Sequence, residues 1–333
     1  MILSICIPTF NRIKSLDDCL NSILIASQIN RSFNFEVCIS DNCSSEKVEN
    51  VVEKYTSRLN IRFNKNSTNL GFAVNAINSV KMANGSYVWL IGNDDLLLPD
   101  SLLYLEKIIS NNLDVEYFFI NSFFLNSKQL AKFDKPLDTR EIDTSFLNRM
   151  CRHKKDSKCS FWDVIHPDVS WDFLIGIFFS VFKKDKWLKN LNVLDPSMIS
   201  AVDTWSNFDN TCIHPKVLSA SFKNSTSYIC SKPLSINLIG EREWFSLYEF
   251  IEIVRIPELI DFYRSIGMPL KQYLYCKNFS LRNFTNYFLK IIIEKNKGLH
   301  LINFKKHFFK NLYFPNVYFS IFYYIFRKIK NLF

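Results

Sequence analysis

The sequence predicts an α/β fold: a mostly parallel sheet with helices on both faces, followed by a helical, aromatic C-terminal region. Three observations carry this. Short apolar runs rich in β-formers alternate with segments of helical periodicity through the first 125 residues. The runs are continuously apolar, as strands covered on both faces are. Polar residues follow several of them at once, and in open parallel sheets ligands bind outside the carboxyl ends of the strands.

Leu3 to Ile7, stopped by Pro8, is the first strand. Ser15 and Asp18 fit a helix N-terminal box, and Leu16, Leu20, Ile23 and Leu24 recur at helical spacing. Phe35 to Ile39 is a second strand ending in Ser40-Asp41-Asn42, and Glu46 to Leu59 reads as a second helix. Ile61 to Phe63 is a brief strand, and Phe72 to Ala83 a helix stopped by Asn84-Gly85. Tyr87 to Ile91 is a buried central strand that runs straight into Gly92-Asn93-Asp94-Asp95. Leu102 to Ile109 is helical, and Val115 to Leu125 is a further buried strand. Between residues 126 and 170 the periodicity is lost, which reads as a loop region or insertion. Trp171 to Trp187 is apolar again, 203 to 219 is polar with a helix inside it, and Ser227 to Ile239 returns as strand. Beyond Trp244 the pattern is helical and aromatic.

Composition narrows the function. A chain of 333 residues with 32 phenylalanines can bury a large core as one elaborated domain or two. Seven glycines, none in a Walker or dinucleotide fingerprint, exclude those phosphate cradles. Nine irregularly spaced cysteines suit reduced thiols, and the N-terminus opens on a strand, so a cytoplasmic chain without a signal peptide is expected. Cys151, His153 and Cys159 lack the second half-site that zinc needs. The net charge of +9 is concentrated: eight Lys or Arg and no Asp or Glu lie between Lys295 and Phe333. A nucleic-acid binder needs its cations interleaved with stacking aromatics in one patch. Here they sit in an oily terminus, and no nucleic-acid partner is expected. Leu312 to Phe326 is apolar but broken by Pro315-Asn316, and shorter than the roughly 20 residues of a spanning helix. Aromatic rings with basic flanks suit the headgroup zone of an anionic leaflet. A core helix with a solvated basic face is the other reading.

Four motifs occur in order: Ser4-Ile5-Cys6-Ile7-Pro8-Thr9-Phe10-Asn11-Arg12, Ile39-Ser40-Asp41-Asn42-Cys43-Ser44, Asn69-Leu70-Gly71-Phe72-Ala73-Val74-Asn75, and Gly92-Asn93-Asp94-Asp95. As a set they resemble the motifs of family 2 glycosyltransferases with the Rossmann-like GT-A fold. Within that family the chain is most similar to the abequosyltransferases of bacterial O-antigen assembly. The resemblance implies a GT-A domain over 1–240, with a nucleotide-binding half at 1–125 and an acceptor half at 126–240. Residues 241–333 then form the C-terminal region.

The resemblance also implies roles. Pro8, Thr9, Asn11 and Arg12 would line the nucleotide pocket, with Asn69, Gly71, Asn93 and Asp94 around the ribose and diphosphate. Asp41 would accept hydrogen bonds from base or ribose, a task suited to a carboxylate's several lone pairs. Asp94 and Asp95 would hold Mg²⁺ or Mn²⁺ against the departing diphosphate, since a hard cation with oxygen ligands neutralises that leaving group. Gly92 and Asn93 stand where a further carboxylate is common, so two aspartates carry that task. Asp203 is the first choice for the base that takes the acceptor's proton, Asp209 the competitor and His214 a third. The implied donor is a nucleotide sugar, CDP-abequose favoured over CDP-paratose, CDP-tyvelose or a UDP- or GDP-sugar. The implied acceptor is a mannose of a polyprenyl-diphosphate-linked O-antigen intermediate in lipopolysaccharide biosynthesis, met at the cytoplasmic face of the inner membrane.

Overall fold

The protein is seen in a computed structural model that describes residues 2–240, 247–294 and 298–330, with side chains described through residue 322. Trp244, beyond which the helical and aromatic pattern was expected, lies outside the described residues.

The strands are β1 (Leu3–Thr9), β2 (Phe35–Asp41), β3 (Ile61–Lys65), β4 (Tyr87–Leu90), β5 (Asp95–Leu97), β6 (Tyr117–Asn126), β7 (Asn148–Arg149), β8 (Ser157–Ser160), β9 (Ser180–Lys183) and β10 (Thr226–Ile239). Their order in one sheet is β3-β2-β1-β4-β9-β6-β10-β5, with β7 on β6 and β8 on β10. The α/β expectation holds, and from β3 to β4 every ladder is parallel. Beyond β4 the sheet becomes mixed, because β9 enters antiparallel to both β4 and β6. Buried Trp89 accounts for part of that placement: its indole N–H, which must find an acceptor inside the protein, donates to the Phe178 carbonyl just before β9 at 2.8 Å.

Helices α1 (Ile13–Ile29), α2 (Val48–Glu53), α3 (Gly71–Lys81) and α4 (Ser101–Ser110) join the first strands. The order β3-β2-β1-β4 makes the chain step one way from β1 to β3 and return past β1 to β4. Right-handed crossovers then put α1 and α2 on one face and α3 on the other. The contacts agree: α1 packs on α2 and α4, whereas α3 packs on β1 and β2.

Several local expectations change. Helix α1 starts at Ile13 with Arg12 at its cap, so Ser15 is not a cap. Asp18 instead accepts the Leu137 amide at 2.8 Å and the Lys135 ammonium at 2.6 Å, tying down the 126–170 region. That region is not all loop, since it supplies β7 and β8. Helix α2 ends at Glu53 and gives way to turns through Leu59.

The main core gathers Trp89, Tyr117, Phe118, Phe119, Phe182 and Trp187, all buried. Each such side chain stabilises the fold by roughly 1.5–3 kcal/mol relative to exposure. Ile256, Leu259, Ile260 and Tyr263 of the Ile256–Ser265 helix join the same core. A second apolar cluster, with Phe250, Phe284, Phe288, Ile291, Ile302 and Val317, forms among the later helices.

Candidate active site

Thr9 and Asp41, the last residues of β1 and β2, are register partners, so the two parallel strands stop together. Asp41 is fully buried. Its Oδ1 accepts the Ser44 hydroxyl at 2.5 Å, and its Oδ2 lies 3.8 Å from the Lys65 ammonium. The same Ser44 oxygen accepts the Asn11 amide at 2.8 Å, and Asn11 Oδ1 accepts the Ser45 amide at 2.9 Å. The loops after β1 and β2 are thus laced together. Asn11 makes this possible by taking a left-handed backbone (φ 49°), which asparagine tolerates better than most residues.

Asparagines extend the network sideways. Asn75 on α3 donates to the Ser40 carbonyl at 2.9 Å and the Thr9 carbonyl at 3.3 Å, holding both strand ends. Asn42 donates to Asn69 Oδ1 at 2.7 Å and accepts the Leu70 amide at 2.9 Å. Asn69 Oδ1 also accepts the Gly71 amide at 2.9 Å. Buried side-chain amides saturated in this way hold their loops in one arrangement. Gly71 has a φ of +78°, and a Cβ there would meet the Ala201 carbonyl oxygen at 2.6 Å. Only glycine permits this approach. It presses the Asn69–Gly71 loop onto the backbone that leads to Asp203.

The acidic turn closes the other side. Asn93 donates to the Thr9 hydroxyl at 2.8 Å, and Arg12 meets Asp94 at 3.3 Å. The two aspartates differ. Asp95 is buried at the start of β5, with Oδ2 accepting the Gly92 amide and Oδ1 the Asn237 side-chain amide, both at 2.7 Å. The Asp94 side chain keeps 21% of its surface exposed. Cys19 lies beneath the turn, and burial, with the Asp95 and Asp94 charges, pushes its thiol well above the usual range. A Cβ on Gly92 would stand 2.7 Å from Asp94 Oδ1 and 3.0 Å from Asp95 Oδ2. The turn folds back over residue 92, so a side chain there would have to displace the two carboxylates.

Among the described residues no group of three or more His, Cys, Asp or Glu side chains could cage a metal. The donor set still fits a magnesium-like ion, which takes one or two carboxylates and completes its shell with substrate phosphates and water. Asp94 is the carboxylate that could hold it, with Asp95 shaping the turn behind.

The candidate bases separate. Asp203 is exposed in the loop beside Gly71, where its Oδ1 accepts the Trp205 amide at 2.9 Å. Asp209 accepts the Asp195 amide at 2.7 Å and pairs with Lys216, whose ammonium lies over the Phe208 and Phe262 rings. His214 is buried, and that burial drives its imidazole down to about 3, so it stays neutral. The structure thus brings Pro8, Thr9, Asn11, Arg12, Asp41, Asn69, Gly71, Asn93, Asp94 and Asp95 around the ends of β1, β2 and β4, with Asp203 next to them. Asp209 is engaged elsewhere, and His214 is sealed in the core. Asn66, Asn75 and Asn237 were given no role from sequence. The density of asparagines between 60 and 84 signalled the first two; nothing local signalled Asn237.

Residues 4–172, half of the chain, match the family described as Glycosyl transferase family 2, and the chain belongs to that family. Among curated relatives it is 39% identical over 117 residues to abequosyltransferase RfbV of Salmonella typhimurium, a stretch covering 34% of each chain. It is 33% identical over 103 residues to TarS of Staphylococcus aureus, a poly(ribitol-phosphate) beta-N-acetylglucosaminyltransferase, covering 31% of this chain and 18% of the relative. The alignments therefore span about a third or less of these relatives. In three dimensions the crystal structure of S. aureus TarS 1-349 in complex with UDP matches with a TM-score of 0.55 at 15% identity, over 92% of this chain and 77% of that one. At that identity the match speaks for the fold, the GT-A type expected.

Proposed function

We propose that this chain transfers a sugar from a nucleotide-sugar donor, abequose from CDP-abequose, to a mannose of a polyprenyl-diphosphate-linked O-antigen intermediate. The observation that carries the transferase reading is the convergence of Asp41, Arg12 and Asp94 on adjoining strand ends, in a family of glycosyltransferases. The 39% identity to an abequosyltransferase favours the donor sugar.

In this reading Asp41 and the Asn11–Ser45 loop hold the nucleoside, and the Asn69–Gly71 loop covers ribose and diphosphate. Asp94 would hold the divalent cation, Mg²⁺ or Mn²⁺, which would supply charge neutralisation for the departing diphosphate. Arg12 adds a fixed positive charge at the same place, and Asp203 takes the proton of the attacking hydroxyl. The acceptor oxygen bonds to the anomeric carbon as the bond to the diphosphate oxygen breaks. Work occurs at the cytoplasmic face of the inner membrane, with the C-terminal region as the peripheral contact. A second reading, a UDP-N-acetylglucosamine donor, is supported by the TarS relative.

Purified protein with Mg²⁺, a panel of CDP-, UDP- and GDP-sugars and a lipid-linked acceptor tests this by release of nucleoside diphosphate. Turnover with CDP-abequose supports the first reading, and turnover with UDP-N-acetylglucosamine alone selects the second. The absence of both turnover and nucleotide binding would remove both readings.

A further inference from the structure

Apart from the residues of the strand ends, a cavity of about 300 Å³ opens between the Ile256–Ser265 helix, the Leu270–Ser280 helix and the segment around residues 310–314. That is the lower end of the roughly 300–1,000 Å³ of small-ligand pockets. Tyr273 and Phe314, ring to ring at 6.3 Å, form a wall, and Lys277 and Lys310 line it. Lys277 is buried; its ammonium pairs with Asp261 at 2.8 Å and donates to the Pro257 carbonyl at 2.9 Å. Two of its three N–H donors are thereby used. Asp261 also accepts the Tyr273 hydroxyl at 3.0 Å. Burial holds Lys277 below the ordinary lysine value against the pull of Asp261, and Lys310 adds to that depression. Two cations against one carboxylate leave the cavity positive.

Exposed apolar side chains stand on the same two segments. Leu270 and Leu274, one helical turn apart on the helix that carries Tyr273 and Lys277, are 55% and 48% exposed. On the segment that carries Lys310, Tyr313 lines the cavity and is 88% exposed, and Phe309 is 59% exposed. Exposed apolar side chains gathered around a polar site mark an interaction surface. No described helix is long and apolar enough to cross a membrane, so contact would be from one side.

We propose that this cavity takes the phosphate headgroup of an anionic phospholipid while the surrounding Leu, Phe and Tyr side chains enter the headgroup zone of the bilayer. The charge pattern selects this occupant: the segment from 295 to 333 carries eight cations and no acid. An anionic leaflet attracts such a segment, and aromatic rings settle at the membrane interface. The inference deepens the membrane contact proposed above and is independent of the transfer reaction, because its readout is lipid binding.

The test is co-sedimentation of the full chain with vesicles of phosphatidylglycerol and phosphatidylcholine in equal parts, against pure phosphatidylcholine. Circular dichroism verifies that each variant folds. Lys305→Ala, outside the cavity, is expected to weaken binding roughly five-fold through general attraction alone. Lys310→Ala is expected to cost roughly fifty-fold, because it also removes a charge-assisted hydrogen bond worth on the order of tenfold. Paired Phe309→Ser and Tyr313→Ser changes should lower binding at any salt concentration. Equal losses from Lys305→Ala and Lys310→Ala would reduce the site to diffuse electrostatics and overturn the headgroup pocket. Absence of vesicle binding overturns it too, pointing to a protein partner, or to a free-anion site if inorganic phosphate alone raises the unfolding temperature.

Discussion

The strand-end half and the helical C-terminal region both bury polar groups, but of different kinds. Around β1 and β2 the buried groups are mostly neutral: Asn42, Asn66, Asn75 and Ser40 hydrogen-bond to one another and to backbone. In the C-terminal region most of them are ionisable, beside the neutral Ser280, Asn311 and Ser320. Arg255 and Glu258 pair at 2.7 Å, both almost fully buried, with Lys306 and His307 also on Glu258. Glu252 pairs with Arg282 at 2.9 Å, and Lys277 with Asp261. A sheet already fixes its strands through backbone ladders, so side chains there only trim the loops. Helices share no backbone bonds, so stacked rings such as Phe284, Phe288 and Phe308, together with ion pairs, must set their positions. The first arrangement leaves Asp94, paired with Arg12, partly exposed at the strand ends. The second consumes its charge in ion pairs within the fold.

Substitutions can break that contrast. Asp203→Asn is expected to cost the most, roughly 10²–10⁴-fold in kcat with the unfolding temperature unchanged. Asp209→Asn should do the reverse, lowering stability by stranding buried Lys216 while sparing kcat. Loss of turnover in a stable Asp209→Asn protein would move the base there.

Glu258→Gln is expected to destabilise by about 3–5 kcal/mol, since it leaves Arg255 buried without its counter-ion. Denaturant unfolding measures it. The same carboxylate gives a pH signature. Burial raises its pKa, but His307, Arg255 and Lys306 outweigh that and hold it at about 2. Its folded value lies below the ordinary value of about 4.3. The stabilisation is therefore complete above the ordinary value and lost as pH falls from about 4.3 towards 2. Acid unfolding should remove about 3 kcal/mol in that window, and Glu258→Gln should abolish that component. An unchanged acid profile would contradict the role assigned to these ions.

Asp94→Ala is expected to lower kcat roughly 10²–10³-fold, the usual cost of removing one charge-stabilising group, without loss of stability. Full transfer by this variant would remove the metal assignment. Gly92→Ala is the mildest: the added methyl displaces the Asp94 carboxylate and should cost on the order of 10²-fold in kcat. If Gly92→Ala lowers stability more than turnover, the turn serves the fold before the chemistry.

How much could be read in advance follows the same division. The strands β1, β2 and β4 each bury a nearly continuous apolar run that leads into polar residues, so these strands, and the loops carrying Thr9, Asp41 and Asp94, were visible in one dimension; β3, with Arg62, Asn64 and Lys65 exposed, showed only as the brief Ile61–Phe63 pair of apolar residues. The antiparallel β9 was not visible, because a four-residue strand inside the Trp171–Trp187 run has no period to detect. Nor were β7 and β8, of two and four residues. The unequal roles of Asp94 and Asp95 were hidden because the residue that distinguishes them, Asn237, lies 142 positions away.

That separation has a consequence for how the protein is made. The acidic turn is completed by a strand from the other end of the sheet, so it cannot form while residues 95 to 237 are still being joined. Contacts this distant in sequence carry a large loop-closure cost and are made late. A growing chain can assemble β1 to β4 and bury their core, yet it holds a finished turn only once β10 has docked. The protein thereby exposes a folded scaffold before it possesses a working centre.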